Sequence, residues 1–474
     1  MRKRTLLTAL TVTAGLLTAG LLTALPASTA SAAPSGLSGD FNGDGYLDAA
    51  IGAASATVSG KSQAGAVVVL YGSASGVSAT RKTVIHQNST GVPGAAETGD
   101  LFGAGLAAGD LDRDGYSDLV VGASNEAIGD RQGVGAATVL WGGPSGLSGG
   151  KGLPQPSTLS EFGNFGNGVA TGDFDGDGDT DVTVTGRDHT RLYNGPFTRT
   201  GPTSHTRVGE VGTVYEVTAG DLTGDGADER VYPHAVDGDP GGKIYYFRWT
   251  GMTHSMTELP NADGFPGAIA DIDGDGYGDL VLGDPTDPSA DKPGGHKGGQ
   301  ITVWYGGPDG PDPAQQPTVI HQDTTGVPGG GETGDAFGSA VGVGDINGDQ
   351  YADVVVGAPG EDLGSARDAG MVTVLFGSSS GLTTAGAKGY TQDTSGVPGT
   401  AETGDAFGKA VRLVDLDRNG RSDLVAGSGN ENGYGMVTYL RGTSTGLTTT
   451  GALNITARAV SLQGSADFGW AIAQ

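Results

Sequence analysis

The chain has 474 residues, with 54 Asp and Glu against 26 Lys and Arg, a formal net charge of -28 and no cysteine. So acidic a balance repels a phosphate backbone and argues against nucleic acid as a partner. Without cysteine there is no disulfide and no lipid-modified cysteine, so an exported form must gain its stability in another way.

Residues 1–32 open with Arg2, Lys3 and Arg4, continue through an apolar stretch from Leu6 to Leu25, and reach Ala30-Ser31-Ala32. A basic start, an apolar segment and a small-residue exit are the parts of a secretory signal peptide. The expectation is cleavage after Ala32 and a secreted, extracellular mature protein, residues 33–474, forming one domain with no membrane span. A membrane anchor is the competing reading, because the apolar stretch approaches spanning length. Its Thr, Ala and Gly content favours cleavage.

The next feature recurs along the chain. Asp110, Asp112, Asp114 and Asp118 stand at positions 1, 3, 5 and 9 of a short loop, with Gly115 at position 6. Calcium is a hard cation that takes six to eight oxygens at about 2.3–2.6 Å, and alternate side chains of a tight loop supply them. Glycine permits the reversal, and position 7, here Tyr116, offers its main-chain carbonyl. An EF-hand needs a Glu at position 12 and flanking helices. Position 12 is Val121, and the apolar runs Leu106-Ala107-Ala108 and Leu119-Val120-Val121 read as strands. The unit is strand, calcium loop, strand. The competing reading is a solvated turn, since Asp, Asn and Gly suit turns for their own reasons. Repetition weighs against it.

In chain order the copies are Asp40, Asn42, Asp44, Tyr46 and Asp48; the Asp110 loop; Asp173, Asp175, Asp177, Asp179 and Asp181; and Asp221, Thr223, Asp225, Ala227 and Glu229, the weakest. Then come Asp271, Asp273, Asp275, Tyr277 and Asp279; Asp345, Asn347, Asp349, Tyr351 and Asp353; and Asp415, Asp417, Asn419, Arg421 and Asp423. Each interval holds one four-stranded blade, at roughly 60 residues per repeat against the 40–45 of a WD40 blade. Up to seven Ca²⁺ are expected, one per loop.

Most copies carry Phe-Gly before the loop, as at Phe102-Gly103, Phe165-Gly166, Phe337-Gly338 and Phe407-Gly408. Val-Gly-Ala follows it at Val121-Gly122-Ala123 and Val356-Gly357-Ala358, and then a second apolar run, as in Ala66 to Gly72. This pattern resembles the FG-GAP repeat of integrin alpha-subunit propellers and their bacterial relatives. The resemblance implies an all-β fold, a seven-bladed β-propeller of four-stranded antiparallel blades with the Phe-Gly strand innermost. It also implies calcium loops joining strands 1 and 2 on one face and partners bound through loops on the other. The fourth and fifth copies depart from the pattern, with Tyr215-Glu216-Val217 and Phe265-Pro266-Gly267 in place of Phe-Gly.

The chain ends in Phe468-Gly469-Trp470-Ala471-Ile472-Ala473-Gln474, an inner-strand sequence that stops where its calcium loop should begin, while Gly39-Asp40 opens a loop with no Phe-Gly strand before it. The two ends are therefore expected to meet, the C-terminal strand completing the first blade and closing the ring, which removes the open edges.

Connections before the second, sixth and seventh blades repeat Val-Pro-Gly and Glu-Thr-Gly-Asp, around Glu97, Glu332 and Glu402. Together with the stretches 124–133, 284–298 and 361–368 they make a crescent of longer loops opposite the calcium loops. Loops on a rigid scaffold are where binding concentrates, although the repeated motifs also suit a structural turn.

No catalytic signature stands out. Gly377-Ser378-Ser379-Ser380-Gly381 matches a nucleophile-elbow pattern, but the corresponding turns vary at the central residue and no helix follows. The reading is a monomeric calcium-binding recognition or adhesion module for an extracellular protein or glycan. Two alternatives stay open: a propeller enzyme, a carbohydrate hydrolase or lyase with carboxylates in the central depression, and a calcium-stabilised scaffold with no specific ligand.

Overall fold

The computed structural model describes residues 35–473, apart from 157–159, 188, 209–212, 215, 237–238, 261, 266 and 290–293. The signal-peptide expectation and Gln474 lie outside the described residues.

Seven antiparallel sheets follow one another along the chain. In the second blade the strands are Phe102–Gly109, Asp118–Ala123, Ala136–Trp141 and Ser148–Gly152, paired in sequence order. The ring is a seven-bladed all-β propeller. Its second strands are runs such as Asp118–Ala123, buried at every position, because both faces of the strand pack against a neighbouring blade. An outermost strand, Ser204–Arg207, is exposed throughout. Burial thus peaks in the second strands and is least in the outermost, and the hydrophobic clusters lie between blades. One of them joins Val67, Val69 and Ile85 of the first blade to Phe102, Leu119 and Val121 of the second.

The two conserved-looking dipeptides of the repeat meet at these interfaces. Phe165 forms a parallel bridge with Gly135, at the start of the preceding blade's third strand, and Gly135–Phe165 is matched by Gly65–Phe102, Gly299–Phe337, Gly370–Phe407 and Gly435–Phe468. The following glycine then crosses the Val-Gly of the preceding blade's second strand. A Cβ on Gly122 would lie 1.8 Å from the Gly166 carbonyl oxygen, so only glycine admits this approach.

The chain ends meet as the sequence predicts. Ile472 bridges Ile51, the Gly52 amide donates to the Ala471 carbonyl at 2.8 Å, and the Ala473 amide donates to Ala50 at 2.9 Å. Gly39 then takes up the line, its carbonyl accepting the Asp48 amide at 2.8 Å. In the second blade the unbroken strand pairs Gly109 with Asp118 in the same way. One inner strand is therefore shared between the two ends of the chain.

Candidate metal centres and the opposite loop face

Each acidic loop is shaped by its own carboxylates. At position 1, Asp40 Oδ1 accepts the amides of Gly43 and Asp44 at 2.7 and 3.2 Å, while Oδ2 accepts that of Gly45 at 2.7 Å. Asp173 does the same with Gly176, Asp177 and Gly178. At position 9 the carboxylate ties the loop to the blade. Asp118 accepts the Leu111 amide at 3.0 Å and, from the end of the third strand, the Gly142 amide at 2.8 Å. Asp48, Asp181, Asp279, Asp353 and Asp423 make the same two bonds. In the fourth blade Glu229 accepts the Leu222 amide at 2.8 Å, but its Oε1 is buried without a hydrogen-bond partner.

In four loops the carboxylates of positions 1, 3 and 9 converge, with one oxygen from each within 4.8 Å of the others: Asp110, Asp112 and Asp118; Asp173, Asp175 and Asp181; Asp271, Asp273 and Asp279; Asp415, Asp417 and Asp423. The loops at Asp40 and Asp345 have Asn42 and Asn347 at position 3, and the loop at Asp221 has Thr223, so these bring fewer charges together. Position 5 does not join the clusters. Asp114 Oδ1 accepts the Tyr116 amide and its Oδ2 lies 3.0 Å from Arg199, while Asp44 Oδ2 lies 3.2 Å from Arg81. Asp179, at position 7 of the third loop, pairs with Arg113 of the second. The carbonyls of Tyr46, Tyr116, Ala227, Tyr277, Tyr351 and Arg421 remain the main-chain oxygens that a bound cation would use.

The clusters fit a hard divalent cation. Asp112 pairs through Oδ2 with Arg199 Nε at 3.0 Å, but Asp112 Oδ1 and Asp175 Oδ1 are buried oxygens with no hydrogen-bond partner, a costly state that a bound cation would relieve. Burial, reinforced by the Asp112 and Asp114 charges, pushes Asp118 up to about 8. Burial is also the main cause at Asp48 and Glu229, raised to about 8, and at Asp181, Asp279, Asp353 and Asp423, raised to about 7. A bound cation reverses that balance.

On the opposite face the acidic residues have different partners. Asp100, Asp335 and Asp405 each accept the amide of the Glu three residues earlier, Glu97, Glu332 and Glu402, at 2.5, 2.6 and 2.7 Å. Glu-Thr-Gly-Asp is therefore a turn. Three buried glutamines brace the same connections: Gln87 donates to Glu126 at 2.6 Å, Gln322 to Glu361 at 2.5 Å, and Gln392 to Glu431 at 2.7 Å. Sequence reasoning missed these pairs, which recur at a fixed separation of 39 residues. In the serine-rich turn Ser378 Oγ donates to the Gly381 carbonyl at 2.8 Å, as Ser73 does to Gly76 at 2.6 Å.

A cavity of about 200 Å³ lies among the inner strands, lined in part by Asn167, Glu216, Ser339, Lys409 and Trp470. Burial pushes Glu216 up to about 7, opposed by Lys409, whose Nζ sits 4.6 Å from the Trp470 ring centre. Among the described residues lining it, Glu216 is the one carboxylate.

The comparisons with known proteins agree with this architecture. The FG-GAP repeat family matches residues 32–70, 102–140 and 337–375, and the FG-GAP-like repeat matches residues 173–232. The chain carries FG-GAP repeats. Mouse integrin alpha-IIb is 32% identical over 165 residues, 34% of this chain and 14% of the integrin. Rat phosphatidylinositol-glycan-specific phospholipase D is 32% identical over 161 residues, 34% of this chain and 18% of that protein. Mouse integrin alpha-8 is 27% identical over 221 residues, 45% of this FG-GAP chain and 19% of the integrin. The matched stretch thus spans less than a fifth of each of these relatives. Among solved structures, a lectin from Agrocybe aegerita aligns with a TM-score of 0.41 and 16% identity over 75% of this chain and 83% of that one. Among the described residues no helix is long and apolar enough to cross a membrane.

Proposed function

We propose that this FG-GAP propeller is a secreted, monomeric recognition module that binds an extracellular protein or glycan and is held in shape by up to seven Ca²⁺, one per loop. The observation that carries this reading is the set of convergent Asp triplets, two of them with buried, unpartnered oxygens. All-oxygen donors of this charge suit calcium. Each loop would use its residues at positions 1, 3 and 9 with the carbonyl at 7. The position-5 groups, Asp44, Asp114, Asp177, Asp225, Asp275, Asp349 and Asn419, would join by turning inwards. With calcium confined to one face, the longer connections of the other face are left for a ligand. The names of the integrin and phospholipase relatives are compatible with an extracellular setting.

A carbohydrate hydrolase has less support, because glycoside hydrolysis uses two carboxylates and the axial cavity offers Glu216 alone among its described lining.

The test is binding of the mature protein to arrays of glycans and extracellular matrix proteins in millimolar Ca²⁺. Replacing residues 362–367 by a Gly-Ser turn should abolish a hit that Asp44→Ala leaves intact. Binding that survives the loop exchange and is lost with Asp44→Ala would contradict this placement of the ligand.

A further inference from the structure

A second kind of metal chemistry is built into the loop face. His321 and Asp323 begin the connection from the fifth blade to the sixth, and His296 comes from the long stretch between that blade's second and third strands. The two imidazoles are stacked, with ring centres 3.5 Å apart and planes 3° from parallel. His296 Nε2 lies 3.5 Å from Asp323 Oδ2. Donor atoms from all three residues fall within 4.8 Å of one another.

The hydrogen bonding around these rings is incomplete in a specific way. His296 Nδ1 is 2.8 Å from the Lys297 carbonyl. A carbonyl only accepts, so Nδ1 carries the proton, and in the neutral ring Nε2 presents a bare lone pair to the Asp323 carboxylate. Two acceptors face each other there. A proton or a metal ion between them would satisfy both, and a proton would make His296 an imidazolium stacked flat on a second imidazole. Nδ1 donation to a main-chain carbonyl is also the arrangement that orients a metal-ligating histidine. On the other ring, His321 Nδ1 is buried with no hydrogen-bond partner.

Comparison with the sister connections shows what is particular to this one. His86 occupies the repeat position of His321, and its Nδ1 has Ser89 Oγ at 3.3 Å with no second ring beside it. Asn88 and Asp393 correspond to Asp323. All three use one oxygen to hold the turn, accepting the amides of Ala96, Ala401 and Gly331 at 3.1, 3.0 and 3.0 Å. Where the sister copies have Ala96 and Ala401, this one has Gly331. A Cβ there would lie 2.6 Å from the Lys297 carbonyl oxygen, the acceptor of His296 Nδ1, and also 3.1 Å from Asp323 Oδ2 and 3.3 Å from His296 Cε1. The methyl is missing where the extra ring enters.

We propose that His296, His321 and Asp323 form a binding site for a borderline divalent cation such as Zn²⁺, distinct from the calcium loops and on the opposite face of the ring. Two imidazoles and one carboxylate suit zinc and its first-row neighbours, whereas calcium prefers oxygen alone. Because the in-plane lone pairs of two parallel rings cannot meet at one ion, one imidazole turns out of the stack when the metal binds. Three protein ligands on a half-exposed surface leave a fourth position for water or a ligand's donor atom.

The experiment is calorimetric titration of Zn²⁺ into the full chain saturated with Ca²⁺, with Co²⁺ absorption as a second readout of nitrogen ligation. One equivalent should bind. His296→Gln, His321→Gln and Asp323→Asn should each weaken it by about tenfold or more and remove the Co²⁺ band, whereas His86→Gln should leave both unchanged. Unchanged melting of each variant in Ca²⁺ would show that the fold is intact. No zinc binding by the unsubstituted protein, or binding that His296→Gln and His321→Gln leave unaltered, would overturn the proposal and leave the stack as a charged turn.

Discussion

The two faces of the ring use acidic residues for different ends. On the loop face Asp100, Asp335 and Asp405 each accept a single main-chain amide, and Glu126, Glu361 and Glu431 each accept a glutamine. On the calcium-loop face Asp110, Asp112 and Asp118 turn towards one another, and Asp112 keeps a buried oxygen with no donor. Both kinds of segment are rich in Asp and Gly. What separates a turn from a metal cradle is whether the carboxylates, besides holding main-chain amides, also converge on one another.

The largest expected effect probes position 9 against a loop-face aspartate. Asp118 receives amides on both oxygens, so Asp118→Asn sets an NH₂ against the Leu111 or Gly142 amide and should cost about 2–3 kcal/mol in urea unfolding. Asp100→Asn keeps its one acceptor and should cost about 1 kcal/mol or less. Equal costs would erase the distinction between the faces.

A sharper contrast lies within the face of the acidic loops. In the fourth blade Asp221 still accepts the Gly224 and Gly226 amides at 2.7 and 2.9 Å, so this loop keeps its shape with Thr223 at position 3. Shape comes from positions 1 and 9, and charge from position 3. Thr223→Asp should therefore tighten calcium binding at this loop by about tenfold, and Asp112→Ala should weaken it by at least as much in the second blade while leaving the chelated protein no less stable. Direct calcium titration reads the first effect, and melting in chelator reads the second.

A smaller effect belongs to the loop face. Burial, with Asp100 and Glu97 nearby, pushes Glu126 up to about 7, and burial does the same for Glu361. A carboxylate raised on folding contributes stability that is complete below its unfolded value near 4.5 and is lost as the pH climbs through about 7. Melting in saturating Ca²⁺ should thus decline from pH 5 to pH 8. With solvent screening, each glutamate should account for on the order of 1 kcal/mol. Glu126→Gln, which can still bond Gln87, should remove its share of the slope.

Much of this was legible in the sequence because the repeat is local. A nine-residue loop carries its own metal pattern, and Phe468-Gly469 at one end with Gly39-Asp40 at the other announces a shared strand. What was illegible depends on the ring. Arg199 reaches Asp114 from 85 residues away and draws position 5 outwards, which no loop motif encodes. The purpose of Phe-Gly and Val-Gly appears only when Gly166 is seen against Gly122 of the preceding blade. His321 and His86 share a repeat position, and only the fold stacks His296 on the first of them.

Calcium dependence of folding is the central claim, and a thermal melt of the mature protein in millimolar Ca²⁺ and in chelator, with bound calcium counted, tests it most directly. A large stabilisation with about seven ions, one per loop and weakest at Asp221, is the expected result. Identical melts with no bound calcium would reduce the convergent carboxylates to turns and contradict the assignment of the metal face.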